Sequence, residues 1–521
     1  LSRDRLFTPA AAHTANKPVI LVQNGIHAGE IDGKEASLAL ARDIVINRSQ
    51  AELIEKAILL IIPIYNVDGH ERFGRYNRIN QNGPMEMGWR TTAQNYNLNR
   101  DYMKADAPET RALLTLFNTW LPDLYIDTHV TDGADFQYDM LYTIESKGYV
   151  ATEIAKYVEE TLQPQLQPAL AANGHITQSY FGLRDPADPT RGLESSPFTP
   201  RFSNGFGALH NRPTVLVETH MFKTFRERIK ATYDLIAETL RIINRNPVAL
   251  KSAIAAADRV TSEIGNNYDS TRRLPLRFAL TEKSRTVLYR GKEYRLQTSE
   301  ISGAVRIIYG NAAKDMEVPF YDEPKETLSA TPPLAYLLPS GWTEVITRLR
   351  AHGLRIERLI EPISGQFETY RFKDVRWMTE PFEGHHTVTY TAMPTVEQRS
   401  FPAGSILVRL DHPTAKIAFH LLEPNAPDSL LRWGFFNAIF EQKEYAEDYV
   451  LEQMAAEMLE KDPALKKEFL ERLRTDATFR GSADARLNFF YQRSPYWDER
   501  KNAYPIVRVT NRLTVKTAAF E

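Results

Sequence analysis

At 521 residues the chain is longer than one hydrophobic core ordinarily organises, so two or three domains are expected. Lys plus Arg number 64 against 66 Asp plus Glu, a net charge of -2, which offers no general attraction to nucleic acid or to an anionic membrane surface. There is no cysteine, which excludes disulfides, thiolate metal sites and a cysteine nucleophile, so any metal has to be held by His, Asp and Glu.

The chain opens on "LSRDRLFTP" rather than methionine, which suggests a processed start. Over the first ~250 residues, short apolar runs alternate with helical stretches, the pattern of βαβ units. Strands are expected at 18–23, 57–65, 123–130 and 213–221, and helices at 33–47, 107–121, 148–166 and 224–244. The longest apolar run, "AILLIIPIY", is broken by Pro63 and falls well short of the ~20 residues that span a bilayer. From about 270 to 430, alternating segments at 285–297, 303–310, 386–393 and 404–410 point to an antiparallel β-rich region. A proline-rich passage at 318–333 interrupts it and leads to a helix at 341–353. From 443 the chain turns helical, with Asp462-Pro463 as cap and first position of a second tail helix.

The chemistry sits where the early strands stop. The first strand leads into "NGIHAGE", with His27 and Glu30; the third ends in "IDTHV", with Asp127 and His129; the fourth ends in "VLVETH", with Glu218 and His220. In open α/β sheets, ligands collect at the carboxyl ends of strands, so these groups can converge in one cleft. Two imidazoles and one carboxylate leave a zinc coordination position open for water, as a catalytic rather than structural site requires. A second carboxylate is then needed to take the water's proton, and Glu218, costly to bury on an otherwise apolar strand, suits that role.

The ordered set resembles the zinc carboxypeptidases of the carboxypeptidase A type. It comprises His27-x-x-Glu30, a single His129 about a hundred residues on, and a glutamate in a late strand. "YNVDGHERF" (65–73) is similar to the family's Asn-Pro-Asp-Gly turn, with Val67 in place of proline. "GWRTTAQNYNLNRDY" (88–102) is similar to its Trp-Arg segment followed by Asp-x-Asn-Arg. The likeness covers roughly residues 18 to 222. It implies one Zn2+ per chain bound by His27, Glu30 and His129, with Glu218 as general base and proton shuttle. Asn99 and Arg100 would hold a substrate's terminal carboxylate, and Arg90 would polarise the scissile carbonyl. The implied reaction is hydrolysis of the C-terminal peptide bond of a peptide with a free C-terminal carboxylate.

Three positions depart from the family. Ala93 stands where a second arginine is usual. Asn97 replaces the aspartate that orients a zinc histidine, leaving Asp127 to compensate locally. The substrate-covering tyrosine has no clear counterpart; Tyr180, Phe198 and Phe202 are the neighbours that could serve. Only residues 1–26 precede His27, so an early edge strand is expected to be absent or supplied separately.

The expected architecture is an α/β catalytic domain over 1–248 with a mostly parallel or mixed twisted sheet. A β-rich accessory domain (249–440) and a helical C-terminal tail packing on it (441–521) follow. Two other functions remain open: an amidase or deacylase on N-acyl amino acids or cell-wall peptides, and a non-catalytic binding protein with a degenerate site. A periplasmic or secreted location follows only by analogy with the family. "EGHH" (383–386) reads as a solvated strand entry, with a second metal site as the alternative, and His210 and His220 as residues near the cleft.

Overall fold

Strands that are apolar on both faces belong in a sheet covered on both sides. In the computed structural model, which describes residues 1–131 and 133–520, β1 (Val19–Gln23) and β3 (Leu124–Thr131) are buried along their whole length. With β2 (Ile58–Ile62), β4 (Met140–Ile144), β5 (Thr177–Ser179) and β8 (Thr214–His220) they form a six-stranded sheet ordered β2-β1-β3-β8-β4-β5. The short β6 (Gly182–Leu183) and β7 (Leu193–Glu194) lie outside it. Neighbours from β2 to β8 are parallel, and β4 joins β8 antiparallel. Alternate side chains serve two cores. Ile20, Val22, Ile126 and Val217 face the helices Asp32–Val45 and Phe225–Arg245, while Leu21 and Tyr125 meet Tyr102, Phe117 and Phe206.

Local signals explain the helix ends. Thr224 and Glu227 form a reciprocal capping box ahead of Phe225–Arg245, and Pro108 begins Pro108–Trp120. The stretch expected at 148–166 starts at Thr152, loosens into a π-turn over Val158–Leu162 and continues to Ala172; Pro164 and Pro168 lack the N–H that a regular ladder needs. A helix not anticipated, Pro247–Ser262, is capped by the Asn246 side chain.

The β-rich region holds β9 (Leu274–Leu280), β10 (Arg285–Thr298), β11 (Val305–Tyr321), β12 (Pro324–Ala330) and β13 (Ala335–Leu338). The helix Thr343–Ala351 then leads to β14 (Ile356–Leu359), β15 (Ile363–Trp377), β16 (Val388–Phe401) and β17 (Ile406–Arg409). The proline-rich passage does not interrupt it: β12 pairs with β9 in a two-stranded sheet, where a leading Pro324 sacrifices little. The tail is helical over Asp448–Lys461, Pro463–Thr475 and Ala483–Tyr491, with Asp462 capping the second helix. It then returns β18 (Val507–Val509) and β19 (Thr517–Ala519) to a seven-stranded sheet ordered β16-β15-β18-β13-β17-β14-β19.

The two halves share apolar packing. Met103, Tyr149, Ala208 and Leu209 belong to the same core as Tyr336, Phe419 and Phe436, and β11 runs parallel to β7. Among the described residues no helix is long and apolar enough to cross a membrane.

Helix Asp32–Val45 lies so close to β3 that a methyl group on Gly33 would stand 2.0 Å from Thr128 Oγ1 and 2.4 Å from Asn24 Oδ1. Gly33→Ala is therefore expected to destabilise the protein by about 1–3 kcal/mol, measured as a lowered urea midpoint.

Candidate active site

Parallel strands end on a common edge, and there the polar residues of β1, β3 and β8 meet. His27 and Glu30 follow β1, His129 lies on β3, and Glu218 stands opposite His129 in the β3–β8 register. His27, Glu30 and His129 are all buried, with one ligand atom from each within 4.8 Å of the others. Among the described residues they are the one such cluster that could hold a metal ion.

Both imidazoles turn Nδ1 toward Glu30, His27 at 3.0 Å from Oε1 and His129 at 3.0 Å from Oε2. The opposite nitrogens face oxygen acceptors: His27 Nε2 lies 3.1 Å from Asn97 Oδ1, and His129 Nε2 lies 3.0 Å from Asp127 Oδ2. With a metal ion between the rings and the carboxylate, each Nε2–H would donate to those oxygens and each Nδ1 lone pair would face the metal. Asn97 thus supplies a neutral acceptor to one ring, and Asp127 an ionic one to the other.

Glu30 gathers more donors. Arg78 Nη2 lies 2.6 Å and Arg90 Nη1 3.8 Å from Oε1, and the Val130 N–H donates to Oε2 at 3.1 Å. Burial would raise this carboxyl, but His27 and Arg78 hold it well below the usual carboxylate range. Burial lowers His27, whereas for His129 it is outweighed by Asp127 and Glu30, which push that imidazole well above its ordinary value. The glycine of "HAGE" is what lets Arg78 through: a Cβ on Gly29 would lie 2.5 Å from Arg78 Cγ.

The two other motifs are physically joined. In "NVDG", Asn66 Oδ1 accepts the Gly69 N–H at 2.9 Å, while Asn66 Nδ2 donates to Arg90 O at 3.1 Å and Trp89 N to Gly69 O at 2.6 Å. That turn therefore carries Arg90 to the site. In "NLNR", Asn97 Oδ1 also accepts the Asn99 N–H at 3.0 Å and bends the chain into the turn Leu98–Arg100. Arg100 does not pair with Asp101, which takes Lys104 instead; its guanidinium lies over the Phe202 ring at 4.4 Å. Burial, then the nearby Arg90, lowers Arg100 from its ordinary value, so an incoming anion is favoured there.

The trio, Arg90, Asn99, Arg100 and Glu218 all border one cavity of about 200 Å³. Tyr180, Phe198 and Phe202 form an aromatic wall on it, with adjacent ring centroids 5.8 and 5.5 Å apart. His210 and His220 do not border it: His210 packs on Phe206, and His220 stacks on Phe136 with Nε2 3.0 Å from Asp135. Sequence reasoning missed Arg78, one of three arginines in a polar loop without periodicity, and the buried Asn204 on the cavity wall.

Two imidazoles and a carboxylate gathered at a sheet edge beside an open cavity are the donor set that a hydrolytic metal site would use. Residues 5–167 match the family of zinc carboxypeptidases. Carboxypeptidase 2 of Trichophyton equinum is 24% identical over 455 residues, 81% of this chain and 74% of that protein; Carboxypeptidase 2 of Trichophyton rubrum is 24% identical over 442 residues with the same coverage. Among solved structures, a metallo-carboxypeptidase from Pseudomonas aeruginosa in complex with (2-guanidinoethylmercapto)succinic acid is 15% identical with a TM-score of 0.33, covering 45% of this chain and 58% of that one. Carboxypeptidase A from Helicoverpa armigera is 17% identical with a TM-score of 0.31, covering 48% and 64%. The chain thus spans less than two thirds of either structure. The likeness to zinc carboxypeptidases covers residues 5–167, and the relatives that match most of the chain are named carboxypeptidases.

Removing the cation beside a buried carboxylate leaves its desolvation uncompensated. Arg78→Ala is expected to cost on the order of 3 kcal/mol in chelator-treated protein, read as a lowered denaturant midpoint. Zinc is expected to restore part of that loss.

Proposed function

We propose that His27, Glu30 and His129 bind one zinc ion per chain, and that the enzyme releases single residues from peptides with a free C-terminal carboxylate. The observation that carries this reading is the cavity itself, bordered by both the buried His-Glu-His trio and the Asn99-Arg100 pair. The donor set suits zinc: two imidazole nitrogens and one carboxylate, with each ring's second nitrogen pinned by an oxygen. When bound, zinc supplies Lewis-acid polarisation of a carbonyl and a water acidic enough to ionise near neutrality.

The chain's own residues do the rest. The Arg100 guanidinium and the Asn99 amide grip the terminal carboxylate, which fixes the last peptide bond within the cavity. Arg90, whose side chain is 40% exposed and reaches the same cavity, donates to the carbonyl oxygen as negative charge builds there. Ala93 offers no donor, so that task falls on Arg90. Glu218, next to His129 across the strand pair, takes a proton from the attacking water and passes it to the leaving amine. Export from the cell belongs to the same reading, by analogy with scavenging peptidases.

The test is mass spectrometry of a mixed peptide pool, with matched C-terminally amidated peptides, with and without chelator. Single residues lost only from free C-termini, abolished by chelation and restored by zinc, are expected. No release from zinc-loaded protein overturns the reading in favour of an acyl-amide substrate. Glu218→Gln is expected to lower kcat about 10²- to 10⁴-fold with zinc content unchanged. Arg100→Ala is expected to erase most of the preference for free over amidated termini.

A further inference from the structure

The β-rich region sends one turn into the catalytic half. Residues Phe382 to His385 form a tight reversal in which Glu383 (φ 50°) and Gly384 (φ 81°) both take left-handed backbone. A side chain at Gly384 would press on Tyr96, its Cβ 3.0 Å from Cε1, so the turn sits flush against the loop that precedes the Asn99-Arg100 pair. Glu383 Oε2 accepts the backbone N–H of Asn97 at 3.0 Å. His385 Nε2 lies 2.6 Å from Asp106 Oδ2, and Asp106 also pairs with the buried Lys104 at 2.9 Å and with Arg348 at 3.1 Å. Phe382 stacks on Trp433, with ring centroids 6.0 Å apart and planes 11° from parallel.

Asn97 is the residue on which two parts of the site turn. Its Oδ1 faces His27 Nε2 and accepts the Asn99 N–H, so its position sets both the ring of one candidate ligand and the start of the Leu98–Arg100 turn. An amide oxygen holds an imidazole less firmly than a carboxylate would, because its bond lacks the ionic component. Rigidity of the backbone beneath Asn97 therefore matters more here than in a site with aspartate at that position. That rigidity comes from the Glu383 carboxylate, a charge-assisted acceptor reaching across 286 residues of sequence. The same carboxylate favours the charged form of Arg100, which is half-buried near Arg90 and Arg201.

We propose that Glu383 is a positioning residue for the active site: acting through Asn97, it fixes the His27 imidazole and the Asn99-Arg100 turn, which makes the β-rich region part of the catalytic apparatus. This rests on the assignment of His27 to the metal and of Arg100 to the substrate carboxylate.

The experiment compares the full chain with Glu383→Ala, Glu383→Gln and His27→Ala. Zinc affinity is measured by competition with a chromogenic chelator, kcat and KM on a peptide with a free C-terminus, and the thermal midpoint alongside. Glu383→Ala is expected to weaken zinc binding about 10-fold and to raise KM several-fold, with a smaller change in kcat and a thermal midpoint close to wild type. Glu383→Gln, whose amide oxygen still accepts the Asn97 N–H, is expected to recover most of both. Wild-type zinc affinity and KM in Glu383→Ala overturn the proposal. So does a Gln variant no better than Ala with both losses tracking the thermal midpoint, which marks general destabilisation. If the wild type trims no peptide but Glu383→Ala still loses zinc affinity and Gln restores it, the peptide reading fails and the positioning role stands. If His27→Ala binds zinc as tightly as wild type, the ligand assignment fails and the proposal falls with it.

Discussion

The carboxylate of Glu30 is shut away from water, its side chain 2% exposed, and that single buried charge dictates what surrounds it. An ionised carboxylate in such a place costs several kcal/mol unless its oxygens are matched by donors or cations. Here the matching groups come from three separate stretches of chain: His27 in the same loop, Arg78 from the long loop after β2, and, from β3, His129 and the Val130 N–H. Each imposes a further condition. Arg78 can pass only because residue 29 has no side chain, and its loop lies where it does because the Asn66–Gly69 turn and the Trp89-Arg90 segment are stitched together. Motifs far apart in the sequence thus converge on one charge.

The parts legible in the sequence are those governed by burial and strand ends. A glutamate at the end of "VLVETH" and an Asp-x-His at the end of "LYIDTHV" stand out because polar groups on apolar strands need partners. All parallel strands deliver their ends to one edge, so strand order was not needed to predict their convergence. What escaped had no local signature. Arg78 is one of Arg72, Arg75 and Arg78 in a polar loop, and only the fold decides which of them faces Glu30. Glu383 meets Asn97 through the packing of two sequence-distant halves, and "EGHH", read as a solvated turn, is in fact docked. β18 and β19 are three residues each, too short for alternation to show, and they exist because neighbouring strands offer open edges.

The replacement of aspartate by Asn97 first reads as a loss, and the geometry recasts it. Both imidazoles have an acceptor at Nε2, but the acceptors differ in charge. Burial lowers His27, which faces a neutral amide, while Asp127 and Glu30 outweigh burial at His129 and raise it. The two rings are therefore unequal as bases. His129 carries the stronger ionic support, from a residue on its own rigid strand, whereas His27 sits in a loop and depends on Asn97 for its orientation. A site so divided puts its tolerance for disturbance on the strand side and its sensitivity on the loop side. That asymmetry gives a physical reason for the ionic network of Asp101, Lys104, Asp106, Arg348 and His385 to be concentrated around the loop after Asn97. Strand β3 needs no such bracing, because its ladder to β1 and β8 already fixes it. The loop has no ladder, and the fold holds it with charges drawn from both halves of the chain.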